Sequence, residues 1–156
     1  MINKMEIRFA AISENEALAR VAVSQFIARK NPSLEILGEI KTIVSEAVSN
    51  AIIHGYKYDE NKEVVIKCLL DGDELRLQII DFGDGIEDIE KARTPHYTTR
   101  PDLERAGMGL TIMDTLSDGF CISSIVGMGT KLTIRKSLLT IKEDELNAQR
   151  EALWAN

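Results

Sequence analysis

Glu39-Ile-Lys-Thr-Ile-Val-Ser-Glu46-Ala-Val-Ser-Asn50-Ala-Ile-Ile-His54-Gly55 is the stretch on which the fold turns. Ile40, Ile43, Val44, Ala47, Val48, Ala51 and Ile52 recur at helical spacing and form one apolar stripe. The stretch therefore predicts an amphipathic helix. Gly55 stands where such a helix stops, because glycine accepts the left-handed backbone just past a helix end. Glu46, Asn50 and His54 are four apart and stack along one side. A carboxylate one turn from a carboxamide suits phosphoryl transfer. The amide oxygen is a hard ligand fit for magnesium. The carboxylate can accept a proton from an attacking hydroxyl. Taken alone, both could equally be solvated polar residues.

Upstream, Met5 to Ala11 alternates and suits a first strand. Ser13-Glu14-Asn15-Glu16 reads as a capping box. A helix to about Arg29 should follow, burying Leu18, Val21, Ala22 and Phe26. Arg20 and Ser24 then fall on the far side, with Arg20 either a solvated charge or a partner contact. Asn31-Pro32-Ser33 breaks that helix and starts the next. Gly38 is expected to divide the new element.

Downstream, Lys57 to Lys62 is a polar loop. Glu63 to Leu70 is a strand, Asp71-Gly72 a tight turn, and Leu75, Leu77 and Ile79 alternate with polar residues, which predicts an antiparallel hairpin. Phe120–Val126 and Thr130–Lys136 form a second hairpin across Gly127-Met128-Gly129. A short helix from Gly109 to Leu116, ended by Gly119, lies between. The fold class is α+β: a two-layer sandwich with helices on one face of a mostly antiparallel sheet.

The chain has 156 residues, which predicts one domain over residues 1–140 with a charged tail over 141–156, either a frayed helix or disordered. No apolar run approaches a membrane span and no signal-peptide pattern opens the chain, so a cytoplasmic protein without membrane contact is expected. The net charge of −6 argues against direct nucleic-acid binding. Cys68 and Cys121 are expected to be reduced core residues. With only His54 and His96, zinc is not expected.

Three glycine pairs follow the helix: Asp81-Phe82-Gly83-Asp84-Gly85, Gly107-Met108-Gly109, and Gly127-Met128-Gly129-Thr130. Each alone serves turns. Ordered behind Glu46-x-x-x-Asn50 they make sense as a nucleotide pocket. Asp81 can accept a hydrogen bond from an adenine amino group, where guanine presents a carbonyl. Gly83 and Gly85 let the backbone pass close beneath the base. Gly107 and Gly109 open a helix whose N–H groups can hold phosphate. Thr130 offers a hydroxyl. The Asp81-Phe82-Gly83 triplet of protein kinases fails here, since the chain is too short and lacks the His-Arg-Asp loop. The Gly107 run makes a poor Rossmann fingerprint.

These boxes resemble the ATPase superfamily shared by gyrase, Hsp90, histidine kinases and MutL, the GHKL or Bergerat-type fold, across Glu46 to Thr130. Within it, Val44 to Tyr56 and Leu103 to Met113 are similar to the small anti-sigma-factor serine kinases of endospore-forming bacteria, the anti-sigma F group among them. Phe82 and Asp84 fall at variable positions of their box, and the family pattern does not explain the tail after Thr140. The resemblance implies a Mg2+- and ATP-dependent protein serine kinase that also sequesters a sporulation sigma factor, with an anti-anti-sigma factor as its substrate. A stress-response switch kinase and a sigma-binding module without transfer are the alternatives. By resemblance, Glu46 acts as base and Asn50 ligates magnesium. Nucleotide contacts fall to Asn50, Asp81, Gly83, Gly85, Thr98, Thr99, Gly107, Gly109, Leu110 and Thr130. Thr94 to Ala106 forms a lid, in which Arg100 or Arg105 stabilises the transferred phosphoryl group. His54 is expected to be a structural hydrogen-bonding residue. The resemblance also implies a homodimer.

Overall fold

The computed structural model describes residues 2–96, 108–139 and 141–155. Five strands form one sheet: β1 (Ile2–Ala10), β2 (Glu63–Asp71), β3 (Glu74–Asp81), β4 (Gly119–Ile125) and β5 (Gly129–Ser137). Their order is β1-β2-β3-β5-β4, with every neighbouring pair antiparallel. The helices are α1 (Glu14–Ile27), α2 (Leu34–Asn50), the short α3 (Ile89–Ala92), α4 (Gly109–Leu116) and α5 (Ile141–Trp154). The fold is the expected α+β arrangement of an antiparallel sheet and helices.

Helix α2 is the spine. It packs against both α1 and α4. All seven residues of the apolar stripe are buried, and they join Phe9, Val64, Ile66, Leu75, Leu77, Ile79, Leu132 and Ile134 from the sheet in one core. Each fully buried Val, Ile, Leu or Phe side chain contributes about 1.5–3 kcal/mol by leaving water. Ser33 caps the start, its hydroxyl accepting from the Ile36 N–H at 3.2 Å. The helix runs unbroken through Gly38, contrary to the expected division. One glycine costs about 1 kcal/mol in a helix interior, and the buried stripe outweighs it.

The end of this helix differs from expectation too. Residues Ala51–Gly55 widen into one π-turn, closed by the Tyr56 N–H on the Ala51 carbonyl at 2.9 Å. Gly55 does not take a left-handed conformation. The left-handed residues are Lys57 and Tyr58 (φ +50° and +62°), held where the Tyr58 N–H reaches the Ile52 carbonyl at 2.9 Å.

Helix α1 buries a different stripe from the one predicted. Ala19, Val23 and Ile27 are fully buried, whereas Leu18 and Val21 are 54 % and 67 % exposed. Two stripes were available, and the one bearing alanine lets α1 approach α2 closely. Arg20 lies along that contact and does not point away from it: it pairs with Glu16 and donates to Ser45 Oγ on α2 at 3.1 Å. The capping box does not form. Ser13 has helical backbone angles and makes no side-chain cap bond, and Glu16 is engaged by Arg20.

Other differences are small. Helix α4 ends at Leu116 because Ser117 is extended, and Gly119 opens β4. Cys121 is exposed on β4, while Cys68 is buried as expected. Lys136 sits on the core side of β5, where its ammonium donates to the Glu39 carboxylate and to the Leu116 carbonyl. It thereby caps the C-terminus of α4 and ties it to α2. The chain beyond Ile141 takes the helical alternative, α5, and is exposed from Glu145 to Ala155. Among the described residues no helix is long and apolar enough to cross a membrane.

Candidate functional site

A cavity of about 950 Å³ opens between the end of α2, the segment after β3, α4 and the β4–β5 hairpin. Asn50, His54, Asp81, Gly85, Leu110 and Thr130 line it. Residues far apart in sequence are thus brought around one cavity.

One end of the cavity is built by close backbone approach. A Cβ on Gly83 would stand 2.0 Å from the Gly55 carbonyl oxygen, so only glycine fits there. The same carbonyl accepts from the Asp84 N–H at 2.9 Å. Gly85 has φ +76°, and a Cβ on it would meet the Ile125 carbonyl at 2.4 Å. The Tyr56 hydroxyl donates to the Glu63 carbonyl and accepts from the Phe82 N–H at 2.7 Å, which pins the chain beside Asp81. Burial raises the Tyr56 pKa above its ordinary value.

Asp81 is buried, and its Oδ1 accepts from the Gly83 N–H at 3.0 Å. Burial pushes its carboxyl up to about 6, against the pull of the Gly83 and Thr130 backbone N–H groups. A buried carboxyl with a raised pKa that lines a cavity is a candidate functional group.

At the other feature of the site, Glu46 and Asn50 converge on Gly109. A Cβ there would meet Glu46 Oε2 at 3.0 Å and Asn50 Oδ1 at 3.2 Å. The absent side chain leaves the N-terminus of α4 against a carboxylate and a carboxamide. The first N–H groups of a helix have no intrahelical acceptor. They can hold an anion beside the two oxygens. Asn50 lines the cavity itself; Glu46 stands next to it, one turn back. The Asn50 amide oxygen is a hard donor compatible with magnesium, which fills its remaining positions with phosphate and water.

The sequence reading missed two residues here. Lys57 lines the cavity and approaches Asp84 at 4.0 Å. Ser124 lines it from β4 and bonds to three partners. Lys57 could have been suspected as a cation just past the helix. Ser124 carries no signal until the β4–β5 register is known. Thr98, Thr99, Arg100, Arg105 and Gly107 lie outside the described residues, as does most of the expected lid.

The model of the histidine kinase-like ATPase domain family matches residues 9–136. The chain is 51 % identical over 140 residues to the anti-sigma F factor of Clostridium perfringens, covering 90 % of this chain and all of that relative. The chain belongs to the anti-sigma F factor family. Another member, from Shouchella clausii, is 52 % identical over 142 residues, covering 91 % and 97 % of the two chains. The fold also matches the RsbU and RsbW domains of Rv1364c from Mycobacterium tuberculosis, with a TM-score of 0.63 at 21 % identity, over 86 % of this chain and 32 % of that one. Glu46, Asn50, Asp81, Gly83, Gly85, Gly109, Leu110 and Thr130 of this anti-sigma F family chain all fall within the span of the family match.

Proposed function

We propose that the chain is an ATP-dependent protein serine kinase that also binds and inhibits a sigma factor, its substrate being an anti-anti-sigma protein. The observation that carries this reading is the convergence of Glu46 and Asn50 on Gly109 beside a cavity that Asp81 also lines. Membership of the anti-sigma F factor family supports the sigma-binding part, and the names of its relatives suggest a sporulation sigma factor.

In this reading Asp81 accepts from the adenine amino group, and the glycine contacts at Gly83 and Gly85 hold the chain beneath the base. The N–H groups of Gly109 and Leu110 face the phosphates. Asn50 would hold magnesium, which when bound neutralises charge on the phosphate oxygens. Glu46 accepts the proton of the substrate serine as its oxygen attacks the γ-phosphorus, while the bond from that phosphorus to the bridging oxygen breaks and ADP leaves with the electron pair. Arg105 from the lid stabilises the charge that develops there. Leu18 and Val21, exposed on α1, form part of the sigma-facing surface together with Arg20, whose side chain stays 38 % exposed at the edge of the α1–α2 contact, and the protein works in the cytoplasm as a homodimer.

The test is incubation of the protein with labelled ATP, magnesium and candidate anti-anti-sigma proteins. Label appearing on serine of one of them is the expected result. ATP binding and sigma binding without transfer to any candidate would reduce the proposal to a binding module.

A further inference from the structure

We propose that Ser124 is a positioning residue: it fixes the Thr130 hydroxyl as a pure acceptor towards the cavity and so tunes the pocket to a 6-amino rather than a 6-oxo purine nucleotide. The inference rests on the reading of this cavity as a nucleotide site.

Ser124 on β4 lies directly opposite Thr130 on β5. Its Oγ accepts from the Ile86 N–H at 2.7 Å. It donates to the Gly129 carbonyl at 3.0 Å. It also stands 2.9 Å from Thr130 Oγ1. A serine hydroxyl has one proton and two lone pairs. The proton goes to the Gly129 carbonyl, which cannot donate, and the Ile86 N–H takes one lone pair. The second lone pair is all that remains for Thr130, so Thr130 must donate its own proton to Ser124. With that proton spent, the Thr130 hydroxyl offers the cavity lone pairs alone.

Asp81 is the strand partner of Thr130, and both line the cavity. The wall thus presents a carboxylate and an acceptor hydroxyl on paired residues. A 6-amino group brings two hydrogens to such a wall. A 6-oxo group brings lone pairs against lone pairs, and the single N1–H of a 6-oxo purine can serve only one of the two acceptors, which leaves the other unmatched. Removing the Ser124 hydroxyl frees the Thr130 rotor, which can then turn and donate to an oxo group.

The experiment is calorimetric titration of ATP and of ITP, its 6-oxo counterpart, into wild type, Ser124→Ala, Thr130→Val and the double variant. The readout is the ratio of the ITP to the ATP dissociation constant. Loss of one hydrogen-bond preference corresponds to about tenfold. Ser124→Ala should lower the ratio by about that factor, chiefly by improving ITP. Thr130→Val should lower it chiefly by weakening ATP, and the double variant should match Thr130→Val. A merely structural role for Ser124 weakens both nucleotides alike and leaves the ratio at the wild-type value, which overturns the inference while sparing the nucleotide site. Failure of wild type to bind either nucleotide overturns both. Should Ser124→Ala not fold, Thr130→Val decides: an unchanged ratio contradicts the acceptor assignment.

Discussion

A Cβ placed on Gly55 would lie 2.7 Å from Oδ1 of Asp81. The glycine that ends the central helix is therefore required for space beside a carboxylate. Gly55→Ala should push the Asp81 side chain aside and weaken ATP binding by about tenfold or more, the equivalent of one charge-assisted hydrogen bond. Gly38→Ala provides the contrast. Nothing lies within 4 Å of that Cβ, and the position is an exposed helix interior. It should stabilise the fold by about 0.5–1 kcal/mol with nucleotide affinity unchanged. Denaturant melts and ATP titrations of the two variants check both statements.

Asp81 should trade stability for binding. Its carboxyl titrates near 6 in the fold instead of 3.8. As pH rises from about 4 to 6 the unfolded chain loses this proton first, so the folded state holds more protons and stability falls across that window. Two pH units correspond to about 3 kcal/mol at most. Asp81→Asn should therefore raise the melting temperature at pH 7.5, have little effect at pH 4, and weaken ATP binding by about 10- to 100-fold. Equal melting shifts at both pH values would contradict the burial argument.

Lys136 should matter to the fold more than a surface lysine does. Lys136→Met leaves the Glu39 carboxylate and the Leu116 carbonyl without their donor. A loss of about 1–3 kcal/mol is expected, below the cost of breaking a fully buried pair because Glu39 keeps some contact with water. A double-mutant cycle with Glu39→Gln should return a coupling of about 1 kcal/mol or more.

The apolar stripe of α2 was legible because its period is strict and five of its seven residues are Ile or Val. The two hairpins were legible because alternation and Gly72 or Gly127 mark them. The face of α1 was not, since Leu18 and Val21 outweigh Ala19 in any pattern of apolar bulk, while the packing against α2 favours the small side chain. Ser13 failed as a cap because its backbone is already helical, which composition cannot reveal. In the site, Glu46, Asn50 and Asp81 could be chosen from motif order alone. Lys136 and Ser124 could not, because each acts through strand register and partners distant in sequence.

Asn50→Ala should abolish productive magnesium-dependent ATP binding and leave the unfolding free energy within about 1 kcal/mol of wild type, since Asn50 lies off the buried stripe. Titrations with and without magnesium check it. Normal phosphorylation by this variant at limiting magnesium would remove Asn50 as a ligand.

The central claim is that Glu46, held beside Asn50 at Gly109, is the base for transfer to serine. The most direct measurement is single-turnover phosphate transfer by Glu46→Gln, run alongside an ATP titration of the same protein. Glutamine keeps the shape and loses the basicity. Transfer should slow by about 10²–10⁴-fold, with ATP affinity and sigma binding retained. Transfer at the wild-type rate would contradict the claim.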